Sequence, residues 1–146
     1  MHRADVSYWV FDVDGCLVDS LTGTSLRPGT RELLIHLRNQ QHTVIWWSAG
    51  GKDYGRGRAT QLDVHDLVDG FYGKEHRDHQ GRYQTDHFLD PGREAVFVDD
   101  RPEDMPVGAM VISVAPYIVH NPHDRGLRHA AECAGLPVAG SESDRA

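Results

Sequence analysis

Two short stretches of this sequence decide the fold that we expect. Residues Ser7–Asp14 read SYWVFDVD, and residues Ala95–Asp100 read AVFVDD. Each is an apolar run, rich in β-branched and aromatic side chains, that ends abruptly in two carboxylates. Runs of this length are typical of buried strands in a parallel sheet. Because ligands bind beyond the carboxyl ends of such strands, the two acidic pairs are expected to face one crevice.

The rest of the chain alternates strand and helix patterns, which favours an α/β sheet. Apolar runs predict five strands, which are Val6–Phe11, Thr43–Trp47, Leu67–Tyr72, Ala95–Val98 and Met110–Val114. Periodicity and end signals predict three helices, which are one that opens at Arg27–Thr30 and runs to about Asn39, a weaker one over Lys52–Val64, and a closing one over His123–Ala134. The polar, histidine-rich stretch His76–Asp90 predicts a loop.

Length and composition favour a single globular domain. The chain has 146 residues, 39% hydrophobic and 25% charged, and we expect the domain to span residues 1–138, followed by a flexible tail over 139–146. A formal charge of −7 argues against general nucleic-acid binding. No run of about 18 apolar residues predicts a membrane span, and the start of the chain does not resemble a signal peptide. We therefore expect a cytoplasmic protein without a membrane association.

The four acids at the strand ends predict a metal site. Asp12 and Asp14 follow the first strand, and Asp99 and Asp100 follow the fourth. So much negative charge in one crevice is unfavourable without a cation, and hard carboxylate oxygens favour Mg²⁺.

These residues have the chemistry needed to hydrolyse a phosphate ester. Asp12 is the first polar group after its strand, and a carboxylate there can attack phosphorus to form an aspartyl phosphate. Asp14 can act as acid and then as base for the leaving oxygen and the attacking water. Ser48 can donate a hydrogen bond to the phosphate, and the backbone amide of Ala49 can help to hold it. A lysine supplies further positive charge, and the only lysines are Lys52 and Lys74.

Four segments in this order resemble the motifs of the haloacid dehalogenase (HAD) superfamily. They are Phe11–Gly15, Trp47–Ser48, Lys74 and Val98–Asp100. The resemblance implies a HAD-like fold, a Rossmann-like three-layer α/β/α arrangement around a parallel five-stranded sheet in the order 5-4-1-2-3. It also implies a phosphatase rather than a dehalogenase, because the dehalogenases lack the second aspartate of the first motif.

The same resemblance implies roles for individual residues. Asp12 would be the nucleophile and Asp14 the acid and base. The metal would be held by Asp12, the backbone carbonyl of Asp14 and Asp100, with Asp99 as a ligand or close behind. Lys74 is the preferred phosphate-binding lysine because its place before Asp99 resembles the family pattern, while Lys52, beside the Ser48 loop, remains the second candidate.

The spacing of the motifs leaves no room for a cap domain. A helix opens at Arg27–Gly29, soon after Asp19, and few residues separate Ser48 from Lys74. The chain thereby resembles the capless branch that includes magnesium-dependent and carboxy-terminal-domain phosphatases. Such an open cleft suits a phosphorylated small molecule, a phosphoprotein or a nucleic-acid end, and the sequence does not choose among them.

Two other functional classes use related residues. A signalling receiver domain also combines an aspartyl phosphate, Mg²⁺, a hydroxyl group and a lysine, but its motifs come in a different order along the chain. A non-catalytic domain that binds phosphate or a partner on the same fold is the other alternative.

Overall fold

The structure is a computed structural model that describes residues 7–136. Five strands are present, β1 (Tyr8–Phe11), β2 (Thr43–Ser48), β3 (Gly70–Gly73), β4 (Ala95–Asp99) and β5 (Met110–Ser113). Three α-helices accompany them, α1 (Thr30–Asn39), α2 (Lys52–Gln61) and α3 (Arg128–Cys133). Short 3-10 turns cover His65–Leu67 and Pro102–Asp104. Nothing in this part of the chain forms a helix long and apolar enough to cross a bilayer. The predicted tail lies outside the described residues.

The strands form one parallel sheet in the order β3-β2-β1-β4-β5. This confirms the predicted fold class and strand order. The register pairs Phe11 of β1 with Val98 of β4, and the backbone N–H of Asp12 donates to the carbonyl of Val98 at 3.0 Å. The two acidic pairs therefore leave the sheet at the same level, side by side.

The two tryptophans of β2 mark the two faces of the sheet. Trp46 packs in a cluster with side chains from all three helices, including Leu34, Ala59 and Ala130. Trp47 packs on the opposite face with Phe97 and residues from two long loops. This alternation follows from the two-residue period of a strand.

The second face of the sheet is covered by irregular chain. Its cluster takes Tyr83, Phe88 and Leu89 from the β3–β4 connection and Met105 and Ala109 from the β4–β5 connection. Right-handed crossovers explain the placement, because connections that run in opposite directions along a parallel sheet lie on opposite faces. In residues 7–136, no α-helix contributes to this layer, so loops stand on this face where the three-layer α/β/α expectation places helices.

Three predicted element boundaries are wrong by three residues or more. β3 begins at Gly70 rather than Leu67, because Leu67 closes a 3-10 turn in which its N–H bonds the carbonyl of Val64 at 2.9 Å. The last helix begins at Arg128 rather than His123. Asp124 instead turns to form a buried ion pair with Arg27, whose Nε lies 2.6 Å from Asp124 Oδ2, and accepts the N–H of Gly126 at 2.9 Å. α2 also ends at Gln61, short of the predicted Val64.

A single buried carboxylate organises the connection between β1 and α1. Asp19 accepts five hydrogen bonds, from the N–H and hydroxyl groups of Thr22 and Ser25 and from the N–H of Thr24, at 2.7–3.1 Å. Although its burial acts in the opposite direction, these bonds lower the pKa of Asp19 well below the usual value for an aspartate.

We expect Asp19→Asn to lower the free energy of unfolding by about 1–3 kcal/mol at pH 7, because one amide oxygen replaces two accepting oxygens. Since the folded-state pKa is lowered, the contribution of the carboxylate is present above the unfolded pKa. It is lost as the pH falls through the folded value, so the difference between variant and wild type should narrow below about pH 4.

Urea unfolding between pH 3 and pH 7, roughly the range over which carboxylates titrate, measures this effect. Asp86→Asn, which changes an exposed loop carboxylate, is the matched control. Equal stability of Asp19→Asn and wild type at pH 7 would contradict the proposed role of Asp19.

Candidate active site

The candidate site is a cleft of about 310 Å³ at the carboxyl ends of the strands. Its lining contains residues from the ends of β1, β2, β3 and β4, and from the two loops that cover the second face. They are Asp12, Asp14, Ser48, Ala49, Lys74, Arg77, Tyr83, Asp100, Arg101 and Asp104. Six of these are residues that the sequence predicts for the site.

Lys74 joins the acids of two strands. Its Nζ lies 2.9 Å from Asp12 Oδ1 and 3.1 Å from Asp99 Oδ2. All three side chains are nearly buried, with exposures of 6% for Lys74, 12% for Asp12 and 2% for Asp99. The backbone N–H of Lys74 donates to the carbonyl of Ser48 at 2.9 Å, which fixes the start of its loop against β2.

Burial outweighs ion pairing at the two carboxylates of this triad, but not at the lysine. It raises the pKa of Asp12 to about 8, against the lowering effect of the Lys74 ammonium and with a smaller raising effect from Asp99. Burial also raises the pKa of Asp99, again opposed by Lys74. The pKa of Lys74 is itself raised, because the attraction of Asp12 and Asp99 exceeds the opposing effect of burial. One cation thus incompletely compensates two buried carboxylates.

Asp14 occupies the exposed side of the cleft. Its Oδ1 accepts a hydrogen bond from the hydroxyl of Tyr54 at 2.7 Å. Tyr54 lies on α2, and the guanidinium of Arg58 packs over its ring, 5.0 Å from the ring centre. The side chain of Asp14 is therefore both accessible to solvent and fixed in direction.

The turn after β2 brings Ser48 and Ala49 to the cleft. The side chain of Ser48 is buried, and its Oγ accepts the N–H of Gly50 at 2.9 Å. The carbonyl of Ser48 accepts the N–H of Gly51 at 3.1 Å. Ala49, between these bonds, lines the cleft directly.

Three carboxylates in the site lie close enough to hold one metal ion. Ligand oxygens of Asp12, Asp99 and Asp100 all lie within 4.8 Å of one another. Gly15, at φ +81°, allows this approach, because a Cβ there would lie 3.2 Å from Asp100 Oδ2. Asp99 already accepts Lys74 and, through Oδ1, the N–H of Arg101 at 2.8 Å. The donor set is all oxygen and fits a hard divalent cation.

Lys52 does not line this cleft. It lies in a separate groove beside β3, together with Arg56, Phe71 and Glu75. The histidine-rich loop brings His76 and His87 together, with ring centres 5.4 Å apart. Among residues 7–136, the groups suited to metal ligation do not include a histidine cluster.

Arg77, Tyr83 and Arg101 were not predicted for the site. Arg77 and Tyr83 belong to the stretch that the sequence predicts only as a loop. Arg101 follows the second acidic pair, and its Nε lies 2.9 Å from Asp104 Oδ2. A turn signal around Gly81 was the one feature of the sequence that could have indicated a hairpin beside the cleft.

The comparisons with known proteins agree with this geometry. Residues 8–142 match the model of the NLI interacting factor-like phosphatase family. A solved haloacid dehalogenase-like family hydrolase from Streptococcus pneumoniae is similar with a TM-score of 0.64 and 16% identity, over 88% of this chain and 98% of that chain. That likeness shows the fold, and it confirms the HAD-like architecture. A search of curated proteins found no match.

Since the family match covers most of the sequence and the cleft sits where a HAD-like sheet binds its ligand, the chain belongs to the NLI interacting factor-like phosphatase family and is a hydrolase of phosphorylated substrates.

Proposed function

We propose that the protein is a Mg²⁺-dependent phosphomonoester hydrolase that acts through an aspartyl phosphate on Asp12. The observation that carries this proposal is the position of Asp12, nearly buried in the cleft, bonded to Lys74 and next to Asp99 and Asp100. Lys74 bonds Oδ1, and we assign the attack on phosphorus to Oδ2.

The two half-reactions use Asp12 and Asp14 in turn. In the first, an oxygen of Asp12 forms a bond to phosphorus, the bond from phosphorus to the leaving oxygen breaks, and Asp14 gives that oxygen a proton. In the second, Asp14 takes a proton from water as the water oxygen bonds phosphorus and the Asp12–phosphorus bond breaks. Release of phosphate leaves Asp12 as the carboxylate and Asp14 as the protonated acid, the states in which the cycle began. The exposed position of Asp14 suits a group that must meet both the leaving oxygen and water.

Asp12, Asp100 and the backbone carbonyl of Asp14 are the groups that we propose as metal ligands. When bound, Mg²⁺ would offset the repulsion between an anionic nucleophile and an anionic phosphate and polarise a phosphoryl oxygen. Asp99 is better suited to hold Lys74, because its two oxygens already accept Lys74 and the Arg101 N–H.

Ser48, Ala49 and Lys74 are the groups that we propose for the phosphoryl oxygens. The hydroxyl of Ser48 accepts Gly50 N–H and has its own proton left to donate. The Lys74 ammonium has three protons, two of which are directed at Asp12 and Asp99.

The strand order argues against the receiver alternative. Receiver-type sheets have the order 2-1-3-4-5, whereas this sheet has β3-β2-β1-β4-β5.

The open cleft and the absence of room for a cap suit substrates of several sizes. Both cysteines, Cys16 and Cys133, are free thiols, which supports a reducing compartment such as the cytoplasm.

Asp12→Asn is expected to lower phosphate release from p-nitrophenyl phosphate in Mg²⁺ by more than about 10³-fold, because an amide oxygen is a poor nucleophile. Asp53→Asn, which changes an α2 carboxylate that is 88% exposed, should stay within about twofold of wild type. An Asp12→Asn enzyme that keeps a tenth of wild-type activity would contradict the role, because the removal of a nucleophile should cause a much larger loss.

Removal of divalent cations with EDTA should abolish activity, and Mg²⁺ should restore it. Asp100→Asn should weaken Mg²⁺ binding by at least about tenfold, since a charged ligand is replaced by a neutral one. Calorimetric titration with Mg²⁺ and the Mg²⁺ midpoint of activity both measure this. The control is Glu103→Gln, a neighbouring carboxylate that is 65% exposed. Equal Mg²⁺ affinity in both variants would exclude Asp100 as a ligand.

The two lysines should separate clearly in their effects. Lys74→Met is expected to lower kcat/KM by about 10²-fold or more, because it removes the positive charge at the phosphate. Lys52→Met, in the groove beside β3, should change it by less than about threefold. Lys74→Arg keeps the charge and guards against a loss that reflects folding alone. A larger loss for Lys52→Met than for Lys74→Met would reverse the assignment.

A further inference from the structure

One guanidinium on the wall of the cleft is held firmly in place. Arg77 donates from Nη1 to the carbonyl of Gly81 at 2.6 Å and from Nη2 to the hydroxyl of Tyr83 at 2.7 Å. Its Cζ lies 4.1 Å from the centre of the Tyr83 ring. A guanidinium carries five donor protons, so these two bonds leave others for a ligand.

The segment that carries Arg77 is a tight hairpin. Arg77 and Tyr83 form an antiparallel bridge, and Gly81 takes φ +86° at the turn, a value that favours glycine. Asp78 Oδ1 accepts the N–H groups of Gln80 and Arg82 at 2.9 and 3.0 Å. The N–H of Tyr83 bonds the carbonyl of Asp104 at 2.9 Å, which ties the hairpin to the β4–β5 connection. Arg77 is thus oriented before any ligand binds.

Arg77 differs from the other cleft cations in that its contacts are with neutral groups rather than carboxylates. Lys74 is paired with Asp12 and Asp99, and Arg101 is paired with Asp104. The contacts that the structure gives Arg77 within residues 7–136 are with a carbonyl, a phenol hydroxyl and an aromatic ring. None of these neutralises the guanidinium.

Arg77 is also close to the place where the phosphate would bind. Lys74 Nζ lies 5.5 Å from the centre of the Tyr83 ring on which Arg77 stacks. Tyr83 therefore separates a cation that serves the catalytic acids from one that is available to the substrate. One small molecule could therefore place its ester at Lys74 and a second anionic group at Arg77.

We propose that Arg77, oriented by Tyr83, is a second anion site that selects phosphomonoesters with another anionic group, a carboxylate or a phosphate, close to the ester. This inference rests on the proposed function and names the substrate class for it. Arg77 is a specificity-determining residue here, because guanidinium groups bind carboxylate and phosphate oxygens in pairs.

The test compares matched esters in the presence of Mg²⁺. Phenyl phosphate and 3-carboxyphenyl phosphate differ by one carboxylate, and propyl phosphate and 1,3-propanediol bisphosphate differ by one phosphate. We expect wild-type kcat/KM to be about tenfold higher for the ester that carries the second anionic group, in one pair or both, a size typical of one charge-assisted hydrogen bond. Whichever pair shows the larger ratio identifies the second anion.

Arg77→Gln should bring that ratio to near one, and Arg77→Lys should restore part of it. Tyr83→Phe should lower it, since the guanidinium loses one of its two anchoring bonds. Arg31→Gln, which removes an exposed charge on α1, should keep the wild-type ratio.

Three results would overturn the proposal. A wild-type enzyme that hydrolyses all four esters without preference would exclude the second anion site while leaving the hydrolase function intact. An Arg77→Gln enzyme that loses activity on both members of a pair by the same factor would assign Arg77 to the transferred phosphoryl group instead. Hydrolysis of none of the esters by wild type would overturn the proposed function together with this inference.

Discussion

The hydrogen-bonded ion triad of Lys74, Asp12 and Asp99 is the interaction on which the site depends. It links the end of β3 to the ends of β1 and β4, across β2, which lies between β3 and β1. Charges as buried as these are tolerated only when partners surround them, because leaving one unpaired costs several kcal/mol. With both carboxylates ionised, the triad carries a net negative charge, which makes the adjoining space attractive to a divalent cation.

The sheet register determines whether that triad can form. Phe11 and Val98 are paired, so Asp12, just after β1, lies level with Asp99, the last residue of β4. A shift by one residue would turn one of the acids to the opposite face. The apolar runs specify this register well, because both are buried and both end in acids. This is why the sheet and its acidic pairs could be predicted from the sequence.

Features that depend on distant contacts were not predictable in the same way. The start of α3 depends on Asp124 bonding Arg27, 97 residues earlier in the chain, and nothing in the local sequence announces that pair. The place of Arg77 depends on a hairpin anchored by the backbone of Asp104. Lys74 and Lys52 both follow a strand or its turn. The family resemblance favours Lys74, and the folded geometry shows that Lys74 is the one that meets Asp12.

The irregular layer on the second face has a consequence for how this enzyme can diverge. The helices pack on the other face of the sheet, and the acids lie at the ends of its strands. Arg77 and Tyr83 come from the β3–β4 connection. Lengthening such a connection adds only a small entropic cost. New selectivity can therefore arise by changes in this loop beyond Lys74, while the catalytic groups stay the same.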